Sequence, residues 1–504
     1  MKKAKGLSLA LTLLLLNPTN PVYAAPNDED ELPLYEVFEI YYLLQENHLS
    51  KPSEKQLVQG ALTGVSAKVK EVKNVTLEVP ETDDTLEELS NRLTEWKEAQ
   101  KLDYKKMGTW AVDGMVKTLN DPFTDYYDNR DIKQFQNAID DEYVGFGIRF
   151  RLYDGNIMVK EIVDKSPASR ADIKPGDYLM NADGESMMGK TLEEAYEYLA
   201  GTIGTSSTLT MYRPSTKQIK KLTMTRMPLE VREATGARFV GSNIGYIKLD
   251  TFGDDAGQQF MEEMNKLEQS KQPIKGLVVD LRDNGGGYLH AAYDIASLFM
   301  EDGLLMYTTD RNKVEVETWI HNGRPVNYPV RILVNEGTAS ASELLSGALL
   351  DNGIAKLVGS HTYGKGIAQV TIPAGSGGLK ITVNQYFTPK HIVVQKVGLE
   401  PEIKAADDVA QVIRALSSLG TKQYTISQAV IDEVTINGVK FPLIEPLFKS
   451  DAKGIYIRTA TLATLSGKSD EKLTGYTLLT KTNTPANVTV TKVKNTYTLT
   501  YKQQ

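Results

Sequence analysis

Two loops in this 504-residue sequence place groups that could do chemistry directly after an apolar, strand-like run. In the first loop, the run 278–281 leads into Asn284 and three consecutive glycines, Gly285, Gly286 and Gly287. Glycines after a buried strand leave backbone N–H groups free to point at an anion, at the start of the following helix. This loop is therefore a candidate for holding negative charge.

The second loop carries hydroxyl groups. After the apolar run 332–334, the small residues 337–341 allow a strand to turn sharply into a helix and expose a serine at the helix N-terminus. Ser340 and Ser342 are both candidates, and the residues alone do not choose between them. The competing interpretation is an ordinary helix N-cap, because serine is among the residues preferred at that position.

A lysine between two glycines supplies a candidate base for such a serine. Lys365 lies between Gly364 and Gly366, so that no neighbouring side chain keeps it from reaching into a tight space. A serine needs a base to become a nucleophile, and a lysine serves only where burial lowers its pKa and favours the neutral amine. Gln369, four residues further on, could hydrogen-bond the amine and fix its direction.

Three other kinds of site compete with a Ser–Lys pair. Residues 359–365 nearly match the sequence of a phosphate-binding P-loop. Gly366, however, stands where that loop has a serine or threonine whose hydroxyl holds Mg²⁺. We also expect an extended segment to follow, not a helix. A Ser–His–Asp triad would use His361 as base, but no Gly-x-Ser-x-Gly motif supports it. Histidines and carboxylates are not clustered at metal-ligand spacing, so we expect neither a metal nor another cofactor.

The elements around the two loops alternate as in an α/β fold. Apolar runs predict strands and periodic patterns predict helices, at 244–249 (strand), 256–267 (helix), 276–281 (strand), 289–300 (helix), 330–334 (strand) and 341–350 (helix). This alternation predicts a mostly parallel sheet covered by helices. Sites in such sheets gather at the carboxyl ends of the strands, where both loops lie.

The remaining segments differ in character from this core. Apolar residues at helical spacing predict N-terminal helices near 34–44 and at 57–70, 81–96 and 107–119. Their apolar faces fit either core packing or a partner surface. Strands with one short helix at 192–199 are predicted within 144–227, and a helix at 406–419. The Thr-rich tail beyond residue 430 is strand-like and predicts a small separate module.

Composition limits the classes of function. About 150 residues per domain gives roughly three domains, and 41% hydrophobic with 24% charged residues is typical of a globular protein. These values exclude a disordered chain and a polytopic membrane protein. The formal net charge of −8, without a block of basic residues, argues against nucleic acid as a partner. The absence of cysteine excludes disulfides, thiolate zinc sites and a Cys nucleophile.

The N-terminus has the pattern of a secretory signal peptide. Lysines at positions 2, 3 and 5 precede an apolar run, 7–16, that is too short to span a bilayer. Val22 and Ala24 provide small side chains before a cleavage site. We therefore expect cleavage after residue 24 and an extracytoplasmic protein, secreted or associated with the cell envelope. The alternative is a retained N-terminal anchor.

Four motifs in the same order resemble those of the carboxyl-terminal processing peptidases, also called tail-specific proteases. They are Asp-Pro-Phe-Thr-Asp-Tyr-Tyr at 121–127, Asp-Leu-Arg-Asp-Asn at 280–284, Gly-Thr-Ala-Ser-Ala-Ser-Glu at 337–343 and Gly-Lys-Gly at 364–366. Residues 144–227 resemble the PDZ domain of that family, at Ser-Pro-Ala 166–168, at 173–177 and at Asp-Gly 183–184. The resemblance covers about 34–406.

The resemblance implies a multidomain α/β protein. Its parts would be a signal peptide (1–24), a helical N-terminal region for dimerisation and capping (25–140), a β-sandwich-like PDZ domain (141–228), an α/β protease core of the crotonase/Clp-like type (229–420) and a small β-rich C-terminal module (425–504). The last of these weakly resembles a copper-amine-oxidase N-terminal-like module. Nothing in it is expected to bind copper, and its role is unknown.

The resemblance also implies a reaction and its residues. The chain would be a serine endopeptidase with Ser340 as nucleophile, Lys365 as base and Gln369 supporting the lysine. Backbone N–H groups of Gly286 and Ala341 would form the oxyanion hole. The family often has proline where Gly285 stands, so we expect this loop to be more flexible here.

The PDZ resemblance implies how substrates would be selected. PDZ domains bind free C-termini by adding the peptide as a strand, and loop N–H groups hold its carboxylate. Here the loop would be Gly145, Phe146, Gly147 and Ile148, with the groove between 148–150 and 192–199. The expected partners are protein substrates with apolar C-terminal tails, and a second copy of the chain through the N-terminal helices. The alternative function is a catalytically inert PDZ scaffold that binds C-termini.

Overall fold

The structure, a computed structural model, describes residues 32–128 and 142–502 except 154, 164, 215, 231, 432, 444 and 471. The predicted signal peptide lies outside the described residues. The chain divides into two compact units, one built from Met1–Phe135, Tyr307–Glu317 and Gly366–Phe387, the other from the remaining residues. Within the described part of the chain, no helix combines the length and apolar character needed to cross a membrane.

Four helices and a strand begin the first unit. They are α1 (Leu32–Asn47), α2 (Glu54–Lys73), α3 (Leu86–Gln100), α4 (Tyr104–Thr118) and β1 (Asp125–Asp128). The predicted helix 81–96 begins only at Leu86, because Thr85 and Glu88 form a capping box there. Helices α2 and α4 cross at glycines, and a Cβ on Gly114 would lie 2.2 Å from the carbonyl oxygen of Gly60. Only glycine allows backbones to approach this closely.

The second unit begins with an antiparallel β region. Its elements are β2 (Glu142–Gly145), β3 (Ile148–Tyr153), β4 (Asn156–Ile162), α5 (Pro167–Arg170), β5 (Tyr178–Ala182), β6 (Glu185–Ser186), α6 (Leu192–Leu199), β7 (Ser206–Arg213), β8 (Gln218–Thr225) and β9 (Met227–Glu230). Strand β3 stands at the edge of a sheet in the order β3-β4-β5-β7-β8, with β6 beside β5. Helix α6 has the bounds that the sequence predicts, and it packs against β3.

Strands and helices then alternate. They are β10 (Ala234–Arg238), β11 (Ile244–Leu249), α7 (Ala256–Glu268), β12 (Gly276–Asp280), α8 (Leu289–Ser297), β13 (Gly303–Thr309), β14 (Glu315–Ile320), β15 (Val330–Val334), α9 (Ala341–Asp351), β16 (Ala355–Gly359), β17 (Ile367–Ala374), β18 (Gly377–Phe387), β19 (Ile403–Lys404) and α10 (Asp408–Ser418).

The central sheet has the order β10-β11-β12-β15-β16-β19. Strands β11, β12, β15, β16 and β19 pair in parallel, and only the pair of β10 with β11 in this sheet is antiparallel. The prediction of a mostly parallel sheet covered by helices is confirmed. Strand β12 and strand β15 end one residue before the two candidate loops begin to turn, so both loops leave the same edge of the sheet.

Strands β1, β17 and β18 belong to the first unit. The sheet order is β1-β18-β13-β14, and β17 also pairs with β18. Leu379 and Ile381 of β18 lie in one core with apolar residues of α1, α2 and α4. Strand β17 begins directly after Gly366, as expected for the extended segment that follows Lys365.

The C-terminal segment is β-rich, as predicted. Its elements are β20 (Gln423–Val430), β21 (Glu433–Ile436), β22 (Val439–Pro442), β23 (Phe448–Asp451), β24 (Gly454–Arg458), α11 (Thr459–Leu465), β25 (Tyr476–Leu478), β26 (Val488–Val493) and β27 (Thr496–Lys502). Its apolar core is continuous with that of the central sheet. Phe441 stacks on Phe239 with ring centroids 6.2 Å apart and meets Tyr246 edge-on at 5.2 Å.

Candidate active site

Ser340 lies at the start of α9, in an unusual backbone conformation. Its φ is 57° and its ψ is −119°, and its side chain is 8% exposed. A non-glycine residue in this region of φ/ψ space is strained and persists only when its neighbours hold it there. Its N–H donates to Oε2 of Glu343 at 3.0 Å. The turn thus presents the serine at the point where the chain passes from β15 into a helix.

The hydroxyl of Ser342 has a structural partner. Ser342 is completely buried, and its Oγ donates to the carbonyl oxygen of Asn284 at 3.0 Å. This hydrogen bond ties α9 to the glycine loop that follows β12. Of the two serines that the residues alone leave open, Ser340 therefore has the more accessible side chain.

Glu343 joins the serine and the lysine segments. The carboxylate is completely buried, and its Oε2 accepts both the Ser340 N–H and the Lys365 N–H, the latter at 2.8 Å. Its Oε1 accepts the N–H of Gly364 at 2.7 Å and the hydroxyl of Thr362 at 2.5 Å. Because one oxygen atom serves both backbones, the nitrogens of Ser340 and Lys365 are only two hydrogen bonds apart.

The glycine loop packs directly against the start of α9. A Cβ on Gly286 would lie 2.8 Å from Ser340 Cβ and 2.8 Å from Ala341 N, and the φ of Gly286 is +99°. The structure therefore brings together Gly286 and Ala341, the two residues predicted to form the oxyanion hole. The Gly286 N–H donates to Oδ1 of Asn284 at 2.9 Å, and the Gly286 carbonyl accepts from the N–H of Phe252 at 3.0 Å.

A buried ion pair supports the base of this loop. Arg282 donates to both carboxylate oxygens of Asp280, at 2.8 and 2.6 Å, and Tyr246 donates to the same carboxylate at 2.9 Å. Burial acts to raise the pKa of Asp280, but the Arg282 guanidinium outweighs it and holds that pKa below its usual value. Arg282 also donates to the carbonyl of Asp408, which ties the loop to α10.

Gln369 and the Asp-Pro-Phe-Thr motif lie in the first unit. Gln369 is on β17 and donates to the hydroxyl of Thr382 on β18 at 3.2 Å. The N–H of Thr382 donates to Oγ1 of Thr124, which in turn donates to Oδ2 of Asp121 at 2.7 Å. His48 Nε2 lies 3.2 Å from the same carboxylate oxygen. The motif thus forms a turn whose hydrogen bonds reach the strand beside Gln369.

The residues of the alternative sites, the Ser–His–Asp triad and the P-loop, do not have the surroundings that those sites need. His361 Nδ1 pairs with Oε1 of Glu400 at 3.0 Å, and both side chains are exposed. A P-loop would need a helix after Lys365, and the structure has strand β17 there. In the PDZ-like region, the loop of Gly145, Phe146 and Gly147 leads into edge strand β3, which faces α6. The groove that the PDZ resemblance implies would lie between this strand and this helix, which contact each other.

Sequence reasoning missed Glu343, His48 and Thr382. The signal for Glu343 is the spacing Ser340-x-x-Glu343, which is a capping box at a helix start. A glutamate in such a box is normally exposed, and only the packed structure shows that this one is buried against residues 362–365. His48 and Thr382 are far from Asp121 in the chain and carry no local signal.

Family models match two parts of the chain. Peptidase family S41 matches residues 243–405, and the PDZ domain model matches residues 144–223. The "Probable CtpA-like serine protease" of Staphylococcus aureus (strain COL) is 30% identical over 356 residues, which cover 70% of this chain and 70% of that protein. The chain belongs to peptidase family S41.

Other proteins are also similar to this S41 chain. The carboxy-terminal processing protease CtpB of Bacillus subtilis (strain 168) is 35% identical over 308 residues, 60% of this chain and 64% of CtpB. The chain therefore matches slightly less than two thirds of the length of CtpB. A solved structure titled photosystem II D1 C-terminal processing protease is 21% identical with a TM-score of 0.49, over 77% of this chain and 97% of that one.

Proposed function

We propose that this S41 chain is a serine endopeptidase that uses Ser340 as nucleophile and Lys365 as general base. The observation that carries the proposal is the buried Glu343 carboxylate, one oxygen of which accepts the N–H groups of both residues. A strained serine at a helix start, beside a glycine loop, supports the same reaction.

The chemistry follows from these groups. Neutral Lys365 takes the proton of the Ser340 hydroxyl as the serine oxygen attacks the scissile carbonyl carbon. Protonated Lys365 then gives its proton to the leaving amine as the C–N bond breaks, and an acyl ester remains on Ser340. A water molecule that loses a proton to Lys365 hydrolyses the ester and restores the free serine. Because the base must be neutral, we expect the rate to rise with pH until the lysine is deprotonated.

The N–H groups of Ala341 and Gly286 would hold the oxyanion of the tetrahedral intermediate. Such donors are worth about 3–4 kcal/mol of barrier each. Since the Gly286 N–H donates to Asn284 Oδ1 in the structure, the substrate oxygen would have to replace that amide oxygen. For Gln369, the proposed support of the lysine rests on the family motif.

The proposed substrates are proteins whose apolar C-terminal tails bind the PDZ domain. The name of CtpB refers to carboxy-terminal processing, which supports protein C-termini as the substrate class. We further propose that the mature chain acts outside the cytoplasm and forms a homodimer through its N-terminal helices, with the domain boundaries given above. These points rest on the signal-like N-terminus and on the family resemblance.

One assay tests the reaction and its nucleophile. Residues 25–504 and the variants Ser340→Ala and Ser342→Ala are incubated with an unfolded reporter that ends in an apolar tail, and fragments are read by mass spectrometry. We expect cleavage by the parent and by Ser342→Ala, and none by Ser340→Ala. Equal cleavage by Ser340→Ala would exclude this serine. A chain that binds the tail but cleaves nothing would be a scaffold.

A further inference from the structure

On the outward side of the PDZ edge strand, a side chain of the domain itself accepts a hydrogen bond from a backbone N–H group. Strand β3 pairs with β4 on one side, and its other side faces helix α6. On that side the N–H of Phe150 donates to the hydroxyl oxygen of Tyr196, at 2.9 Å. A side chain of the helix thus occupies a hydrogen-bonding position that an added strand would use.

The ring of Tyr196 reaches across from the helix to the strand. Its centroid lies 6.0 Å from that of Phe150, with the planes inclined at 61°, so the rings meet edge to face. The side chain of Tyr196 is still 43% exposed. The hydrogen bond and the ring contact with Phe150 are therefore made by a side chain that is partly exposed to solvent.

A bound C-terminal tail needs the same position. A tail added to β3 as a strand would present a carbonyl oxygen to the outward N–H of the edge strand. One N–H cannot donate at full strength to both the Tyr196 hydroxyl and a peptide carbonyl, and the two oxygens would overlap in space. The tyrosine must leave before the tail can pair with β3 at Phe150.

We infer that Tyr196 is a built-in competitor for the PDZ groove, which a C-terminal peptide must displace from the Phe150 N–H in order to bind. This inference rests on the proposed tail-binding function of the groove. Displacement favours tails that gain additional contacts, namely a free carboxylate at the Gly145–Phe146–Gly147 loop and an apolar last side chain. Extended segments without a free C-terminus gain only ladder hydrogen bonds and bind poorly.

Binding of a labelled peptide tests the inference. The mature chain carrying Ser340→Ala, which prevents cleavage, is titrated against a fluorescent ten-residue peptide that ends in Val-Ala-Leu with a free carboxylate. Adding Tyr196→Phe removes the hydroxyl and keeps the ring. We expect this variant to bind about 3- to 10-fold more tightly, the effect of one hydrogen bond that no longer competes.

Tyr198 provides the matched control on the same helix. It is 44% exposed, and Lys190 lies over its ring at 4.8 Å from the centroid. Tyr198→Phe should leave the affinity unchanged, and the amidated peptide should bind poorly to every variant. Equal or weaker binding by Tyr196→Phe overturns the inference, since the hydroxyl would then be neutral or part of the peptide site. Absence of peptide binding by all variants overturns it as well.

Hydrogen exchange gives a readout that does not depend on affinity. In Tyr196→Phe without peptide, the amide of Phe150 should exchange faster than in the parent, and added peptide should slow it again. Unchanged exchange would contradict the inferred hydrogen bond. Failure of this inference is distinct from failure of the proposed reaction, because binding is measured in a cleavage-deficient background and cleavage is measured separately in the parent.

Discussion

At the scale of single residues, the Glu343 carboxylate fixes the backbones of the proposed nucleophile and the proposed base relative to each other. Its four hydrogen bonds come from three backbone N–H groups and one hydroxyl, all of which are donors. Glu343 touches no substrate in the proposed reaction and is therefore a positioning residue.

Glu343→Gln should reduce kcat much more than it changes KM. The amide of glutamine turns one acceptor oxygen into an NH₂ donor, which then faces backbone N–H donors instead of accepting from them. Loss of charge-assisted hydrogen bonds worth about 1.5–3 kcal/mol predicts a fall in kcat of roughly 10- to 100-fold. Steady-state kinetics measure both constants. The exposed Glu336 on the same loop is the control, and Glu336→Gln should behave as the parent; a pure KM effect in Glu343→Gln would contradict the positioning role.

The pKa of the Asp121 carboxyl indicates how the stability of the first unit should depend on pH. Burial acts to raise its pKa, but hydrogen bonds from His48, Thr382, Thr124 and the N–H of Phe123 outweigh burial and hold the pKa well below the usual value. A carboxyl whose pKa is lower in the folded state stabilises the fold above its unfolded pKa, near ~4, and this stability is lost as pH falls towards the folded pKa.

Urea unfolding at pH 7, 5, 4 and 3 measures this dependence. The parent should lose stability steeply below about pH 4, and Asp121→Asn should be less stable at pH 7 but less sensitive to acid. Asp125, which is exposed on β1, provides the control Asp125→Asn. An Asp121→Asn protein with the same acid sensitivity as the parent would assign the transition to other carboxyls.

At the scale of elements, Gly286 allows the glycine loop after β12 to pack closely against the start of α9. A Cβ on Gly286 would lie 2.8 Å from backbone atoms of Ala339 and Ala341, and the φ of +99° is strained for any other residue. A Cβ on the neighbouring Gly285 would meet nothing within 4 Å. Gly285 is therefore a suitable control position for a substitution at Gly286.

Gly286→Ala should abolish cleavage, by at least about 100-fold, because the loop must move away from Ala341 and the proposed oxyanion hole. Gly285→Ala should retain most of the activity, since its position accepts a side chain and the family often has proline there. Both variants are compared by initial rates on the unfolded reporter and by circular dichroism. Equal rates for the two variants would show that the close contact at Gly286 does not serve the reaction.

The sequence predicts the central elements well because their apolar runs are long and their ends carry clear signals. Strands 244–249 and 330–334 have the predicted bounds, and α9 exceeds its prediction by one residue. Helix α8 ends at Ser297, three residues early, where local periodicity has no stop signal. For the site, the residues give Ser340 and Ser342 as candidate nucleophiles and Lys365 as candidate base, and the family resemblance chooses Ser340. The sequence cannot show that Glu343 joins Ser340 and Lys365, because that contact depends on the fold.

At the scale of the whole chain, the C-terminal segment and the central sheet of the second unit share one apolar core. The rings of Phe441, Phe239 and Tyr246 all contact one another, and the Arg282 guanidinium lies 5.9 Å from the Phe441 centroid. Arg282 and Tyr246 are also partners of Asp280, at the base of the glycine loop. The sequence interpretation of 425–504 as a separate module does not anticipate this packing, since strand alternation shows which face is apolar and not what covers it.

Phe441→Ala tests whether this shared core stabilises the catalytic sheet. Removing a buried phenylalanine typically lowers the free energy of unfolding by about 3–5 kcal/mol. If the shared core unfolds cooperatively, the midpoint of denaturant unfolding should fall to a lower denaturant concentration. The transition should remain a single step, and peptidase activity should be lost over the same concentration range. Val493→Ala, at a residue 69% exposed on β26, is the control and should unfold like the parent. An early transition that leaves cleavage intact would instead show that the C-terminal strands unfold independently, and that the contacts of Phe441 with Tyr246 and Arg282 do not support the glycine loop.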